Sequence, residues 1–375
     1  MADITPDIDR KRWSGWLNRL IASPGFQSRA SRWPIARRVA RRDGAALFDI
    51  VQGFVKAQAL SALVELNLPH RLLNGPERVQ VLARFCDLPE DRMRILLQAG
   101  AAMGLLRRKR GDRYGLSRQG AALTGVPGLE AMIRHHGAFY RDMENPVALL
   151  RGDTETELAQ FWPYVFGAAG AVDPEVTATY SDLMAQSQRL VAQDTLAQVS
   201  LKGARCLMDV GGGTGVFLTS AGMAAPDTDL MLFDLPMVVQ GAQARFAEAG
   251  LAGRTAIHPG SFRDDPLPEG ADVISLVRVL YDHADETVAA LLRTVYEALP
   301  PGGRLIVSEP MSGGTRPDPQ TDVYFAFYTL AMQTGRTRSQ AEIMDLCRTA
   351  GFSGLRAEPV RRSYITSVVT AVKEV

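Results

Sequence analysis

The spacing of apolar and polar positions changes character midway along the chain. Over residues 44–125 apolar residues recur at helical intervals, as in "ALFDIVQGFVKAQALSALVELNL". The stretch "RMRILLQAGAAMGLLRRKRGDRYGLSRQG" predicts a helix, a break at Gly104, a short strand, a basic turn at Gly111 and a second strand. That order is a winged-helix pattern. More helix is expected up to Asp194. From Arg205 onward, short apolar runs alternate with amphipathic segments. "CLMDV", "LMLFDL", "TAIHPG", "DVISLVRVL" and "RLIVSEP" read as five strands. Helices are predicted after Thr214, over Met237–Ala249 and Glu286–Leu299, near Asp322–Met332 and over Gln340–Ala350. The end, "SYITSVVTAV", is β-rich. Strands alternating with helices imply an α/β, Rossmann-like domain with a mainly parallel sheet. The expected organisation is an arm over 1–43, a helical winged-helix-like domain over 44–194 and a ligand-binding domain over 195–375.

At 375 residues the chain is long for one core, which agrees with more than one domain. Apolar residues at 46% and charged residues at 22% describe a folded protein, and no apolar run reaches the length of a membrane span. Met1–Asp9 lacks a secretory pattern. Cys86, Cys206 and Cys347 form no CxxC pair, so neither a disulfide framework nor a zinc site is indicated. The expected compartment is the cytoplasm. The net charge of +1 conceals an asymmetry. Residues 10–42 hold ten Lys and Arg and no acid, leaving 32 basic against 41 acidic residues elsewhere. The same stretch carries Trp13, Trp16 and Trp33. Such a segment suits peripheral contact with an anionic membrane, the inner or photosynthetic one, or with a partner subunit; nucleic acid ranks behind both.

The candidate chemistry begins at "LMDVGGGTGVF". Gly211, Gly213 and Gly215 form G-x-G-x-G, whereas a dinucleotide fingerprint requires glycine where Val216 stands. No P-loop lysine is present. Asp234 follows Gly211 by 23 residues, at the end of the second strand, where a carboxylate accepts ribose hydroxyls. The helix after Gly215 offers its N-terminus to a small anion such as an amino-acid carboxylate, and Asp209 is placed to orient the turn and meet an ammonium group. An unphosphorylated ribose joined to an amino acid describes S-adenosylmethionine.

"LMDVGGGTG", "LMLFDLP", "HPGSF", "RVLYDHADE", "PPGGRLIVSEP" and "TGRTRSQAEIMDLCRTAGF" occur in an order that resembles the S-adenosylmethionine-dependent small-molecule O-methyltransferases. The Trp- and Arg-rich start and the following helix are most similar to the branch acting on carotenoid hydroxyls in purple phototrophic bacteria. The resemblance implies an N-terminal dimerisation domain, a homodimer, no metal and a hydroxycarotenoid acceptor. It also implies cofactor contacts from Gly211, Asp234, Leu235, Ser261, Phe262, Arg278, Tyr180 and Met184. The carboxylate usual after Gly260 is missing. At the catalytic position Tyr281 replaces the family's His, Asp282 matches its Asp, His283 stands where Trp is usual, and Thr337 replaces a later carboxylate. Glu309 keeps its acidic type. Tyr281 is expected to orient the acceptor hydroxyl, with His135, His136 or Glu309 as proton acceptor, or no dedicated base. Phe161, Trp162, Tyr324, Phe325, Tyr328 and Met332 are candidates for an apolar acceptor pocket. A C-methyltransferase of a bacteriochlorophyll-type pigment shares most of these features. Val216 opposes a nicotinamide oxidoreductase, and the cofactor half opposes a winged-helix DNA regulator.

Overall fold

The computed structural model describes residues 15–26, 34–161 and 174–374, apart from the side chains of 34–36 and 161–184. Packing divides the chain after Ala121 into two compact units.

In the first unit, helices α1 (Pro34–Val51) and α2 (Gly53–Glu65) are followed by a two-residue strand β1 (Glu77–Arg78), then α3 (Val79–Phe85) and α4 (Glu90–Ala102). Strands β2 (Leu106–Lys109) and β3 (Arg113–Leu116) form the expected hairpin, and β1 adds a third antiparallel strand beside β3. The turn between β2 and β3 puts Gly111 and Asp112 at positive φ. The Asp112 carboxylate accepts from the Arg94 guanidinium at 2.6 Å, tying the hairpin to α4. Leu63, Leu82, Met93, Leu97, Leu106 and Tyr114 close the core. The faces of α1 and α2 turned away from it stay apolar: Ile50 is 77% and Phe54 70% exposed.

The second unit is a seven-stranded sheet. In chain order its strands are β4 (Cys206–Val210), β5 (Asp229–Asp234), β6 (Thr255–Pro259), β7 (Val273–Val277), β8 (Arg304–Glu309), β9 (Ser353–Ala357) and β10 (Ser367–Val372). In space the order is β6-β5-β4-β7-β8-β10-β9; β6 to β8 run parallel and β10 is antiparallel to both neighbours. The central strands β4 and β7 are buried on both faces, as their mainly apolar runs require, and their polar residues Asp209 and Ser275 pair with each other. Alternate residues feed different cores. Leu207 and Leu232 pack with Phe217, Leu218 and Ala221 of α5 (Val216–Ala224). Met208 and Ile274 pack with Val288, Leu291 and Val295 of α6 (Asp285–Ala298) and with Ile343 and Cys347 of α7 (Gln340–Thr349). The predicted helix over Met237–Ala249 is a 3-10 turn, Val239–Gly241, followed by a helix over Ala242–Glu248. The one near Asp322–Met332 is a π turn, Thr321–Phe325, continued by a helix over Ala326–Ala331.

Residues 122–194 pack with this second unit, whereas the sequence reading assigned them to the first. The Asp142 carboxylate accepts from the Glu157 and Leu158 amides at 2.7 and 3.0 Å. Thr156 donates to the Ala331 carbonyl at 2.6 Å, and Arg362 grips Asp194 at 2.5 and 2.8 Å. Helical periodicity reports an apolar face without saying which core covers it.

Gly215 caps the N-terminus of α5 with φ +78°, and a Cβ there would stand 2.4 Å from the Phe246 ring. Left-handed backbone and overpacking each cost about 1–3 kcal/mol for a residue with a side chain. Gly215→Ala should therefore lower unfolding stability by about 2–4 kcal/mol, read as a lower denaturant midpoint at unchanged slope.

Candidate active site

The turn after β4 and the ends of β5, β6 and β7 line a cleft that opens to solvent. Gly211–Thr214, Asp234, Leu235, Ser261, Phe262, Arg278, Asp282 and His283 face it. Of the expected cofactor residues, Gly211, Gly213, Asp234, Leu235, Ser261, Phe262 and Arg278 thus come together. The Asp234 carboxylate accepts from the amides of Gly213 and Leu235, both at 2.7 Å, so it fastens the glycine turn to the end of β5. Burial raises its pKa to about 6, against the two amide bonds that favour the anion. A carboxylate has lone pairs beyond those two bonds, which leaves it able to accept ribose hydroxyls.

Asp209 differs from the expectation. It is fully buried beneath the turn and does not line the cleft. Ser275 donates to its Oδ1 at 2.6 Å, while Oδ2 has no hydrogen-bond partner. Burial lifts its pKa to about 8, so it is largely neutral at pH 7 and supports the turn from below instead of meeting an ammonium group. Gly215 likewise serves the turn and stands outside the cleft lining. Tyr180 and Met184 have their backbone in a helix over Pro174–Leu196, but their side chains lie outside the described residues.

Two carboxylates outside the cleft lining hold Ser261 in place. Ser261 donates its hydroxyl to Asp264 at 2.9 Å and its amide to Asp265 at 2.8 Å. Phe262 meets His283 edge-on at 5.3 Å. The His283 Nδ1 lies 3.1 Å from the Arg263 guanidinium; burial, with Arg263 and Arg338 nearby, lowers its pKa to about 3 and keeps the ring neutral.

The loop carrying Tyr281 is clamped from behind. Arg338, fully buried, donates to the Leu280 and His283 carbonyls at 2.8 and 2.9 Å and to Asp285 at 2.6 Å. Glu309 accepts the Tyr281 amide at 3.1 Å, and Thr334 donates to the Asp282 carbonyl at 2.9 Å. Glu309 is also fully buried, with a pKa raised to about 7 by burial against the nearby Arg338. It grips backbone behind Tyr281, so its place is positioning and not proton removal from an acceptor in the cleft. The sequence reading missed Arg338. Its only local signal is position: an arginine directly before Ser339, whose side chain and Glu342 form a capping box.

Around Tyr281 the chemistry is polar, with the Arg278 guanidinium as the charged neighbour. Its hydroxyl lies 3.4 Å from the Arg278 guanidinium, which also donates to Ser187 at 2.8 Å. Arg278 holds a left-handed φ of +59°, a strained conformation for a residue with a side chain. Burial pushes the pKa of Tyr281 upward despite Arg278. Asp282 rises well above the carboxylate range, chiefly by burial, and its Oδ1 has no hydrogen-bond partner. Beyond lies an aromatic group. Tyr324 stacks on Tyr328 at 5.8 Å and meets Phe325 edge-on at 5.0 Å. The His136 Nε2 is 2.7 Å from the Tyr324 hydroxyl and the His135 Nε2 2.8 Å from that of Tyr328. Burial lowers both histidines, His135 to about 4, so neither carries charge at pH 7. Tyr328 and Met332 are core residues packed with Leu149 and Leu158, which leaves Tyr324 and Phe325 as the more accessible pair. Phe161 ends a short helix with its side chain outside the described residues, as is all of Trp162.

Two family models match the chain: an O-methyltransferase dimerisation domain over residues 48–125 and an O-methyltransferase domain over 140–353. The chain belongs to the S-adenosylmethionine-dependent O-methyltransferases. It is 59% identical to the demethylspheroidene O-methyltransferase of Cereibacter sphaeroides, covering 95% of this chain and 94% of that one. It is 51% identical to the enzyme of that name from Rhodobacter capsulatus, covering 95% and 89%. The solved structure of a mitomycin 7-O-methyltransferase superposes with a TM-score of 0.75 at 26% identity, covering 90% of this chain and 99% of that one. The methyl donor is S-adenosylmethionine, and the cleft brings together the glycine turn, the recessed Asp234 carboxylate, Ser261 and Phe262.

If ribose hydroxyls donate to Asp234, they do so more strongly to the ionised carboxylate than to the neutral acid. Cofactor affinity should therefore be constant above pH about 6 and fall as pH drops below it, approaching tenfold per unit. Asp234→Asn should weaken binding at least tenfold at neutral pH, since a charged hydrogen bond is worth roughly 1.5–3 kcal/mol. It should also flatten this pH dependence; calorimetric titration at several pH values reads both effects.

Proposed function

We propose that this O-methyltransferase methylates the tertiary hydroxyl of an acyclic hydroxycarotenoid. The observation that carries the reading is the 59% and 51% identity, over 95% of the chain, to two demethylspheroidene O-methyltransferases. The aromatic, uncharged surroundings of Tyr324 and Phe325 support it, because an apolar acceptor loses little on leaving lipid for such a surface.

S-adenosylmethionine supplies an electrophilic methyl group on a sulfonium centre. Tyr281, kept protonated by burial and backed by Arg278, orients the acceptor oxygen by donating to it. A neutral tertiary alcohol that gains a methyl group becomes an oxonium, a strong acid. A weak base then suffices, and the Tyr324–His136 pair receives the proton even though burial has reduced the basicity of His136. Placement and exclusion of water do the remaining work.

The working form is a homodimer built through the first unit. The matched dimerisation domain and the exposed apolar side chains of Leu47, Phe48, Ile50 and Phe54 support this. Peripheral contact with an anionic membrane through residues 10–42 fits a bilayer-dissolved acceptor. Among the described residues no single helix is long and apolar enough to cross a membrane; α1 and α2 pass the test of length and composition only as a pair bent by 50°.

Incubation with methyl-labelled S-adenosylmethionine and the hydroxycarotenoid should place the label on the tertiary oxygen, read by mass spectrometry; label on carbon would overturn the reading. Tyr281→Phe should reduce turnover by between a few-fold and about a thousandfold, the range of one positioned polar group, with cofactor affinity unchanged. An unchanged rate would reduce Tyr281 to packing.

A further inference from the structure

The outer face of the small sheet in the first unit carries a row of cations that no acidic side chain among the described residues balances. Residues directly opposed on neighbouring strands share a face, as do residues two apart on one strand. Arg78 on β1 stands opposite Arg113 on β3, and Arg113 stands opposite Lys109 on β2. Arg107, two residues before Lys109, opposes Gly115 and shares that face. The other face holds Leu106, Tyr114 and Leu116 against the core. Arg78, Arg107, Lys109 and Arg113 are all exposed, and among the described residues no side-chain hydrogen bond or ion pair reaches them. The acids nearby are engaged elsewhere: Glu77 with Arg71 at 2.7 Å and Asp112 with Arg94 at 2.6 Å.

Like charges directly opposed across a ladder destabilise a sheet. Three in one row therefore incur a standing cost that an anionic surface would remove. We propose that this face of the wing docks on the anionic headgroups of a lipid bilayer, as a folded contact separate from the arm. The choice of lipid rests on the acceptor reading above, in which the substrate is dissolved in the bilayer. It is also favoured over nucleic acid by the helix preceding the wing. A groove-reading helix presents basic and polar side chains, whereas α4 begins with exposed Glu90 and Asp91 and exposes Ile95 at 67%. A flat sheet face with cations on three adjacent strands fits a planar array of headgroups, each cation near such a surface strengthening binding roughly fivefold.

The test uses the full chain and the combined variant Arg78→Gln, Lys109→Gln, Arg113→Gln, with Arg92→Gln as an exposed cation off this face. Sedimentation with phosphatidylcholine vesicles containing phosphatidylglycerol should show the triple variant partitioning on the order of a hundredfold more weakly, with Arg92→Gln close to the parent. Partitioning equal to the parent would overturn the proposal. So would tighter binding of the parent to duplex DNA than to the vesicles, or loss of the dimer in the triple variant, which would make this face a subunit seam. The melting temperature should stay level or rise as the repulsion is relieved; a fall would show that the cations are held within the fold. Hydroxycarotenoid dispersed in detergent should be methylated equally by parent and variant. If the parent methylates none, the acceptor reading fails while the vesicle comparison still decides the docking face.

Discussion

One fully buried guanidinium fixes the geometry on which the site depends. Arg338 sits in the interior with two loop carbonyls and a carboxylate as its partners. Burying such a charge is unfavourable unless every donor direction finds an acceptor, so the loop over 280–285 has little freedom to be anywhere else. Glu309 reinforces it from β8 by holding the Tyr281 amide. Between them these two buried ionisable groups hold the backbone from which Tyr281 and Asp282 project. Neither is placed to touch an acceptor.

The cofactor side and the acceptor side solve different electrostatic problems. The cofactor cleft combines backbone donors with recessed carboxylates whose pKa values burial has raised. The acceptor side offers neutral imidazoles bonded to phenols, with Arg278 set behind the Tyr281 hydroxyl. This division suits a reaction in which a charged donor meets an apolar partner. The strong base that a phenol-directed enzyme uses to ionise its acceptor is not required when the nucleophile attacks as a neutral alcohol.

What the sequence disclosed follows from the range of each interaction. The glycine turn, Asp234 and the strand–helix alternation are local patterns, and they appear where the spacing placed them. Ser261 and Phe262 were named only through the family resemblance, and Asp264 and Asp265 not at all, because their bonds depend on a turn closing back on Ser261. Asp209 has the right position and the wrong surroundings: sequence gives the residue, and only packing shows that its carboxyl is sealed under the turn. Arg338 and Glu309 act across long separations on a loop that neither adjoins, which no spacing rule encodes. The two-residue strand β1 is too short to have a period. Residues 122–194 carry a helical signal that is silent about the core they join.

Asp234 performs two duties with one side chain. It fastens the turn to the sheet through the Gly213 and Leu235 amides and faces the cleft, where we propose that it takes the donor's ribose. A lineage cannot trade that carboxylate for another donor molecule without also unpicking the strand end, so donor identity is welded to foldability. Tyr324 and Phe325 contribute no comparable fastening. Their surroundings can drift one substitution at a time while the scaffold persists, which leaves acceptor range as the trait open to evolutionary divergence.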